Sequence, residues 1–124
     1  IFDMETIQVL DLDGNGLKEL SPKVSRLNNL RSLLLAGNAL QCIPESITKL
    51  TRLRFLDLDN NQLSTLPDLS CLTSLTELSL AVNRLTCLPD STWTLPRLKH
   101  LDISGNRVSI PEGLPARLHV TALY

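Results

Sequence analysis

Apolar residues recur along this chain in one frame. A leucine is followed three positions later by a second and two later by a third. An asparagine stands three positions beyond, and another apolar residue two beyond that. Ile7, Leu10, Leu12, Asn15 and Leu17 open the series. Leu30, Leu33, Leu35, Asn38 and Leu40 repeat it, as do Leu53, Leu56, Leu58, Asn61 and Leu63. Leu75, Leu78, Leu80, Asn83 and Leu85 follow, then Leu98, Leu101, Ile103, Asn106 and Val108. The asparagines recur at 23, 23, 22 and 23 residues. Alternation of apolar and other residues predicts a short strand with its leucines on one face. One such strand cannot bury that face alone. Stacked in parallel about 4.8 Å apart, the strands line their leucines into columns. Each buried leucine then contributes roughly 1.5–3 kcal/mol.

The second half of the unit reads Ile43-Pro44-Glu45-Ser46-Ile47-Thr48-Lys49-Leu50, or Leu66-Pro67-Asp68-Leu69. Proline with its fixed φ opens a helical turn at the first position. The spacing predicts one short 3₁₀ or α turn per repeat. The third unit is a residue short, with Leu69 and Leu72 in place of the usual spacing, and the first carries its proline one place late, at Pro22.

Five copies in phase resemble the leucine-rich repeat family, whose pattern is L-x-x-L-x-L-x-x-N-x-L. The resemblance covers almost the whole chain. It implies an α/β solenoid, right-handed, with a curved parallel sheet on the concave side and short 3₁₀ or α turns on the convex side. It also implies that Asn15, Asn38, Asn61, Asn83 and Asn106 point inward and bond the bend after each strand. Residues 1–124 read as a single domain with repeats at 7–29, 30–52, 53–74, 75–97 and 98–119. Residues 1–6 would end a preceding repeat or cap, with Ile1 and Met4 in phase with Ile47 and Leu50. Residues 120–124 would start a sixth strand, through Val120 and Leu123, or form a C-terminal cap. With no polar capping helix at either end, the chain reads as cut from a longer array or a larger protein, a small natural protein with minimal caps being the alternative.

Composition narrows the function. A net charge of -1 and 3% aromatic residues leave no nucleic-acid footprint. No apolar run approaches the roughly 20 residues that span a membrane. Cys42, Cys71 and Cys87 are odd in number and lie away from both ends, which favours a reducing, intracellular location, a secreted or injected bacterial effector being the alternative.

Catalytic and metal motifs give way to the repeat. Asp11-Leu12-Asp13-Gly14-Asn15-Gly16 matches the first half of a calcium loop, but the twelfth position is Pro22 where a bidentate glutamate belongs. His100 and His119 lie 19 residues apart without acid or cysteine partners at metal-ligand spacing. Trp93 beside Leu95 and Pro96 reads as convex-side packing. No phosphate loop, nucleophile elbow or zinc motif occurs, so no enzyme, cofactor or metal is expected in these residues.

The residues between the leucines form the exposed face of the sheet. By column they are Val9, Ser32, Phe55, Glu77 and His100; then Asp11, Leu34, Asp57, Ser79 and Asp102; then Asp13, Ala36, Asp59, Ala81 and Ser104. These columns hold six acids and no lysine or arginine, while Arg31, Arg52, Arg54, Arg97 and Lys99 gather where the chain comes into each strand. A polarised face suits orientation of a charged partner. The expected site is therefore Val9, Asp11, Asp13, Leu34, Phe55, Asp57, Asp59, Glu77, His100 and Asp102, centred on Phe55, Leu34, Asp57 and Asp59. The expected function is a monomeric, non-catalytic protein-interaction module whose partner carries a basic surface, with no nucleic acid and no membrane insertion. The Leu-Pro and Ile-Pro repeats are similar to the typical intracellular class, which includes Ras-associated and Scribble-like scaffolds. The alternative is the substrate-recognition segment of a larger enzyme, such as a bacterial effector ubiquitin ligase or nucleotidyl-transferase, or a leucine-rich repeat kinase or GTPase.

Overall fold

The computed structural model describes residues 6–123. Ile1 and Met4, whose phase suggested a preceding unit, lie outside the described residues.

Six three-residue strands form one parallel sheet in chain order: β1 (Val9–Asp11), β2 (Ser32–Leu34), β3 (Phe55–Asp57), β4 (Glu77–Ser79), β5 (His100–Asp102) and β6 (His119–Thr121). The register aligns Leu10, Leu33, Leu56, Leu78, Leu101 and Val120. These central residues point inward, and from Leu33 to Leu101 they are almost fully buried. The first and third leucines of each frame stack beside them, as with Leu30, Leu53 and Leu75, and Leu35, Leu58 and Leu80. The leucine columns are thus one continuous core running the length of the sheet.

The asparagines tie successive repeats together. Asn61 Nδ2 donates to Leu58 O and Asp59 O in its own bend, and to Leu35 O in the repeat before. Its Oδ1 accepts the Leu40 N–H, also in the repeat before. Asn38, Asn83 and Asn106 do the same. Asn15 departs from the expected inward role: it is exposed, and its Nδ2 donates only as far as Asp13 O. The bonds that the others send back one repeat have no counterpart for Asn15 among the described residues.

Just before each asparagine the backbone turns left-handed. Gly14, Gly37, Asn60, Val82 and Gly105 have φ of 66°, 68°, 55°, 57° and 68°. Glycine and asparagine tolerate this region, and a β-branched residue does not. Val82 is therefore a strained member of an otherwise well-chosen column.

On the convex side, 3₁₀ turns occupy Pro22–Arg26, Glu45–Lys49 and Asp90–Thr94. The first has Pro22 at its start and is capped by Ser21 Oγ, which accepts the Lys23 N–H. The other two begin directly after Pro44 and Pro89. The expected turn per repeat is present in three of the five, and each is 3₁₀ rather than α. The third repeat is a residue short. Asp68 closes its bend instead: it accepts the Ser70 N–H at 3.0 Å and, from the next repeat, the Ser91 hydroxyl at 2.6 Å. Those bonds, the Ser91 hydroxyl first, hold the Asp68 carboxyl below its ordinary value. In the fifth repeat the step from Leu101 to Val120 is 19 residues, against 22 or 23 between the other central leucines. Gly113, with φ of 77°, and Pro115 carry the chain across that shorter path.

Val24, Ile47, Leu69 and Thr92 occupy the inward position of this convex half and all are fully buried. Thr92 brings a hydroxyl into an aliphatic column, where its Oγ1 has no hydrogen-bond partner. Trp93 beside it is also buried and belongs to the core.

Candidate functional site

All ten residues expected at the site stand on the outward face of the strands or just beyond their ends, in three rows. Strand pairing aligns Val9, Ser32, Phe55, Glu77, His100 and His119 in the first row. It aligns Asp11, Leu34, Asp57, Ser79, Asp102 and Thr121 in the second. Leu34 is directly opposite Asp57, so it meets Phe55 on the diagonal rather than face to face. Phe55, Leu34, Asp57, Asp59 and Asp102 are half-buried, and Val9, Asp11, Asp13, Glu77 and His100 are exposed.

The face is not uniform. A depression of about 380 Å³ lies over β3, β4 and β5, bounded by Phe55 and Asp57 on one side and by His100, Asp102 and Thr121 on the other. Ser79, the small residue between Asp57 and Asp102 in the second row, lines it. Asp59 and Glu77 complete the rim. Val9, Asp11, Asp13 and Leu34 lie outside this hollow, so the structure separates four of the ten residues from the other six.

The aspartates carry structural work as well as charge. The Oδ1 atoms of Asp11, Asp57 and Asp102 accept the N–H two residues on, from Asp13, Asp59 and Ser104. This is the Asx turn that short acidic side chains favour. Asp13 and Asp59 reach to the next repeat. Asp13 Oδ1 accepts the Ala36 N–H, and Asp59 Oδ1 accepts the Ala81 N–H and the Ser79 hydroxyl at 2.6 Å. Part of the acidic bias is thus required by the bend after each strand. What remains is net negative charge held close together. Asp57 registers it: burial raises its carboxyl above the ordinary value, the Asp59 N–H opposes this, and the charges of Asp59, Asp13 and Asp102 raise it further.

His119 is not among the ten residues expected on this face; the sequence offers it only as a metal-ligand candidate with His100, which the spacing disfavours. The structure puts it in direct register with His100 on the neighbouring strand, with ring centroids 5.6 Å apart and planes 20° from parallel. Its signal lies in Val120: once Val120 is taken as the central apolar residue of a strand, His119 falls in the column of His100. Among the described residues no group of three or more His, Cys, Asp or Glu converges as a metal centre. Cys42, Cys71 and Cys87 are free and exposed. No helix among the described residues is long and apolar enough to cross a membrane.

The repeat is recognised independently. The leucine rich repeat profile matches residues 5–63, and the profile for leucine rich repeats in two copies matches residues 73–116. The chain belongs to the leucine-rich repeat family. Two solved leucine-rich repeat structures show how far the likeness runs. A leucine-rich repeat protein of Leptospira interrogans superposes with a TM-score of 0.84 at 33% identity, covering 87% of this chain and 28% of that one. The functional domain of InlJ from Listeria monocytogenes, described as including a cysteine ladder, superposes with a TM-score of 0.85 at 26% identity, covering 99% of this chain and 26% of that one. This leucine-rich repeat chain therefore spans just over a quarter of either. No curated protein sequence matches it significantly. A parallel leucine-rich repeat sheet offers a broad open face, and protein interaction is the usual work of such modules.

Proposed function

We propose that this chain is a non-catalytic recognition module that binds a protein through the open face of its sheet, over β3, β4 and β5. The observation that carries the reading is the hollow above Ser79. Carboxylates stand on both of its sides, Phe55 forms one wall, and no lysine or arginine lines it. A lysine or arginine of the partner would find the carboxylates of Asp57 and Asp102 flanking it, with the ring of Phe55 beside its aliphatic stem. An aromatic anchor rimmed by polar groups is the usual layout of an energetic centre in an interface. Val9, Asp11, Asp13 and Leu34 extend the same face toward the N-terminal strands and would contact the flanks of the partner. The chain acts as a monomer in this reading. The free, exposed cysteines suit a reducing compartment.

Peptide display on the folded chain tests this. Selected sequences should be rich in lysine and arginine, and their binding should weaken steeply with salt. The double substitution Phe55→Ala with Asp57→Lys should abolish binding while the far-ultraviolet circular dichroism is unchanged. Selection of acidic or uncharged sequences, or unchanged affinity in the double variant, would overturn the reading.

A further inference from the structure

The two histidines of this chain are the only imidazoles it has, and the fold brings them side by side. Both are exposed on the outward face at the C-terminal end of the sheet, held in register by β5 and β6. We propose that His100 and His119 form a two-histidine site for a divalent transition-metal cation of the nickel, copper or zinc type.

The geometry carries this in three steps. First, imidazole nitrogen is the donor that these ions prefer, whereas magnesium and calcium prefer oxygen. Second, the strand pairing fixes the two backbones, so little conformational freedom is lost when both rings turn to one ion. A metal bound by two imidazoles sits about 2.0–2.1 Å from each nitrogen, which holds the ring centres roughly 4.5–5.2 Å apart for bonds opening at 90–109°. The observed separation is 5.6 Å. The rings have to rotate out of their stack so that both lone pairs meet at one point. Exposed side chains make such rotations in picoseconds to nanoseconds, and the strands need not move. Third, the neighbours favour a cation. Glu77 is in register with His100 on its other side, and Asp102 lies two residues along the same strand. The nearest basic residue in sequence, Lys99, precedes β5 and is itself exposed.

No third His, Cys, Asp or Glu of the described residues closes the site. An ion held by two imidazoles keeps its other positions for water or for a donor from another molecule. His100 is also a wall of the hollow described above, but the two-histidine site requires neither a protein partner nor a carboxylate ligand, so its test does not depend on that reading.

Titration of the chain with Ni²⁺ at about pH 7.5, where ordinary imidazole is mostly neutral, tests it. The readouts are the histidine ring protons in NMR and the heat of binding. With two histidines in the chain, the ring signals report on these residues alone and separate them from binding at the exposed cysteines. Both sets should broaden together and saturate at one ion per chain. Either His100→Ala or His119→Ala should weaken binding by more than the roughly 10–100-fold lost when a group that merely orients a metal ligand is removed. Mg²⁺ should leave the ring signals unchanged. Two outcomes would overturn the proposal: ring signals untouched at one equivalent of Ni²⁺, or a remaining histidine that responds as strongly in each single variant as in the parent chain.

Discussion

The side chain of Asn83 accepts the backbone N–H of Leu63, one repeat earlier, at 3.0 Å. Its amide donates to Leu58 O in that same earlier repeat and to Leu80 O in its own. Removing this one side chain leaves several buried backbone groups without partners in two repeats at once. Each unmade buried bond costs about 1–3 kcal/mol. Asn83→Ala should therefore lower the unfolding free energy by at least about 2 kcal/mol. Asn15→Ala, at an exposed position with one short-range bond, should stay within about 0.5 kcal/mol. Urea denaturation of the two variants checks the contrast, and equal losses would refute the distinction.

Val82 holds a φ of 57° where the equivalent residues are glycine or asparagine. Left-handed backbone costs an ordinary L-residue roughly 1–2 kcal/mol. The side chain of Val82 is exposed, so little packing is lost with it. Val82→Asn should stabilise the chain by about 1 kcal/mol. The opposite test is Gly105→Ala. The new Cβ would lie 3.1 Å from Val82 Cα at a φ of 68°, and the variant should unfold at lower denaturant concentration.

Thr92 stands fully buried in an aliphatic column with an unpartnered hydroxyl. Thr92→Val keeps the shape and removes the polar atom. A gain of about 1 kcal/mol is expected, read as a shift of the denaturation midpoint at unchanged slope. A loss would mean that the hydroxyl has a partner, such as an internal water.

Burial and neighbouring carboxylates raise Asp57 above its ordinary value of 3.8. The folded chain thus binds this proton more tightly than the unfolded chain. Stability must fall as pH rises from about 3.8 through the raised value, and stay lower above it. Asp57→Asn keeps an oxygen to accept the Asp59 N–H and removes the charge. The variant should gain stability at neutral pH, and the gain should vanish below about pH 3.8. The same substitution should weaken binding of basic peptides. A pH series of denaturation curves for both proteins decides it: a gain that grows toward acid would reverse the assignment.

What could be read from the chain alone followed from side-chain periodicity. The leucine columns, the parallel register and the outward rows each repeat with the asparagines, so spacing was enough to place Phe55, Glu77 and His100 in one row. Three things were hidden because they depend on path length, backbone geometry or side-chain size rather than period. His119 joins that row only because the last repeat takes 19 residues between central apolar positions, Leu101 and Val120, a shortening made on the convex side by the run through Gly113 and Pro115. The aspartates read as free acidic surface, while their Oδ1 atoms are already engaged with backbone N–H groups. The hollow above Ser79 depends on which outward residues are small, and its place was not visible until the rows were aligned.

The bonds of the asparagine ladder span 20 to 26 residues between one repeat and the one before it. A duplication or loss of one whole unit therefore gives every such bond an equivalent new partner. A single inserted residue between strand and asparagine gives it none. The convex half has no such quantum: the third repeat has dropped a residue there and Asp68 bridges the shorter bend. Heritable change in length is thus sorted by side, in whole units along the sheet and residue by residue around the back.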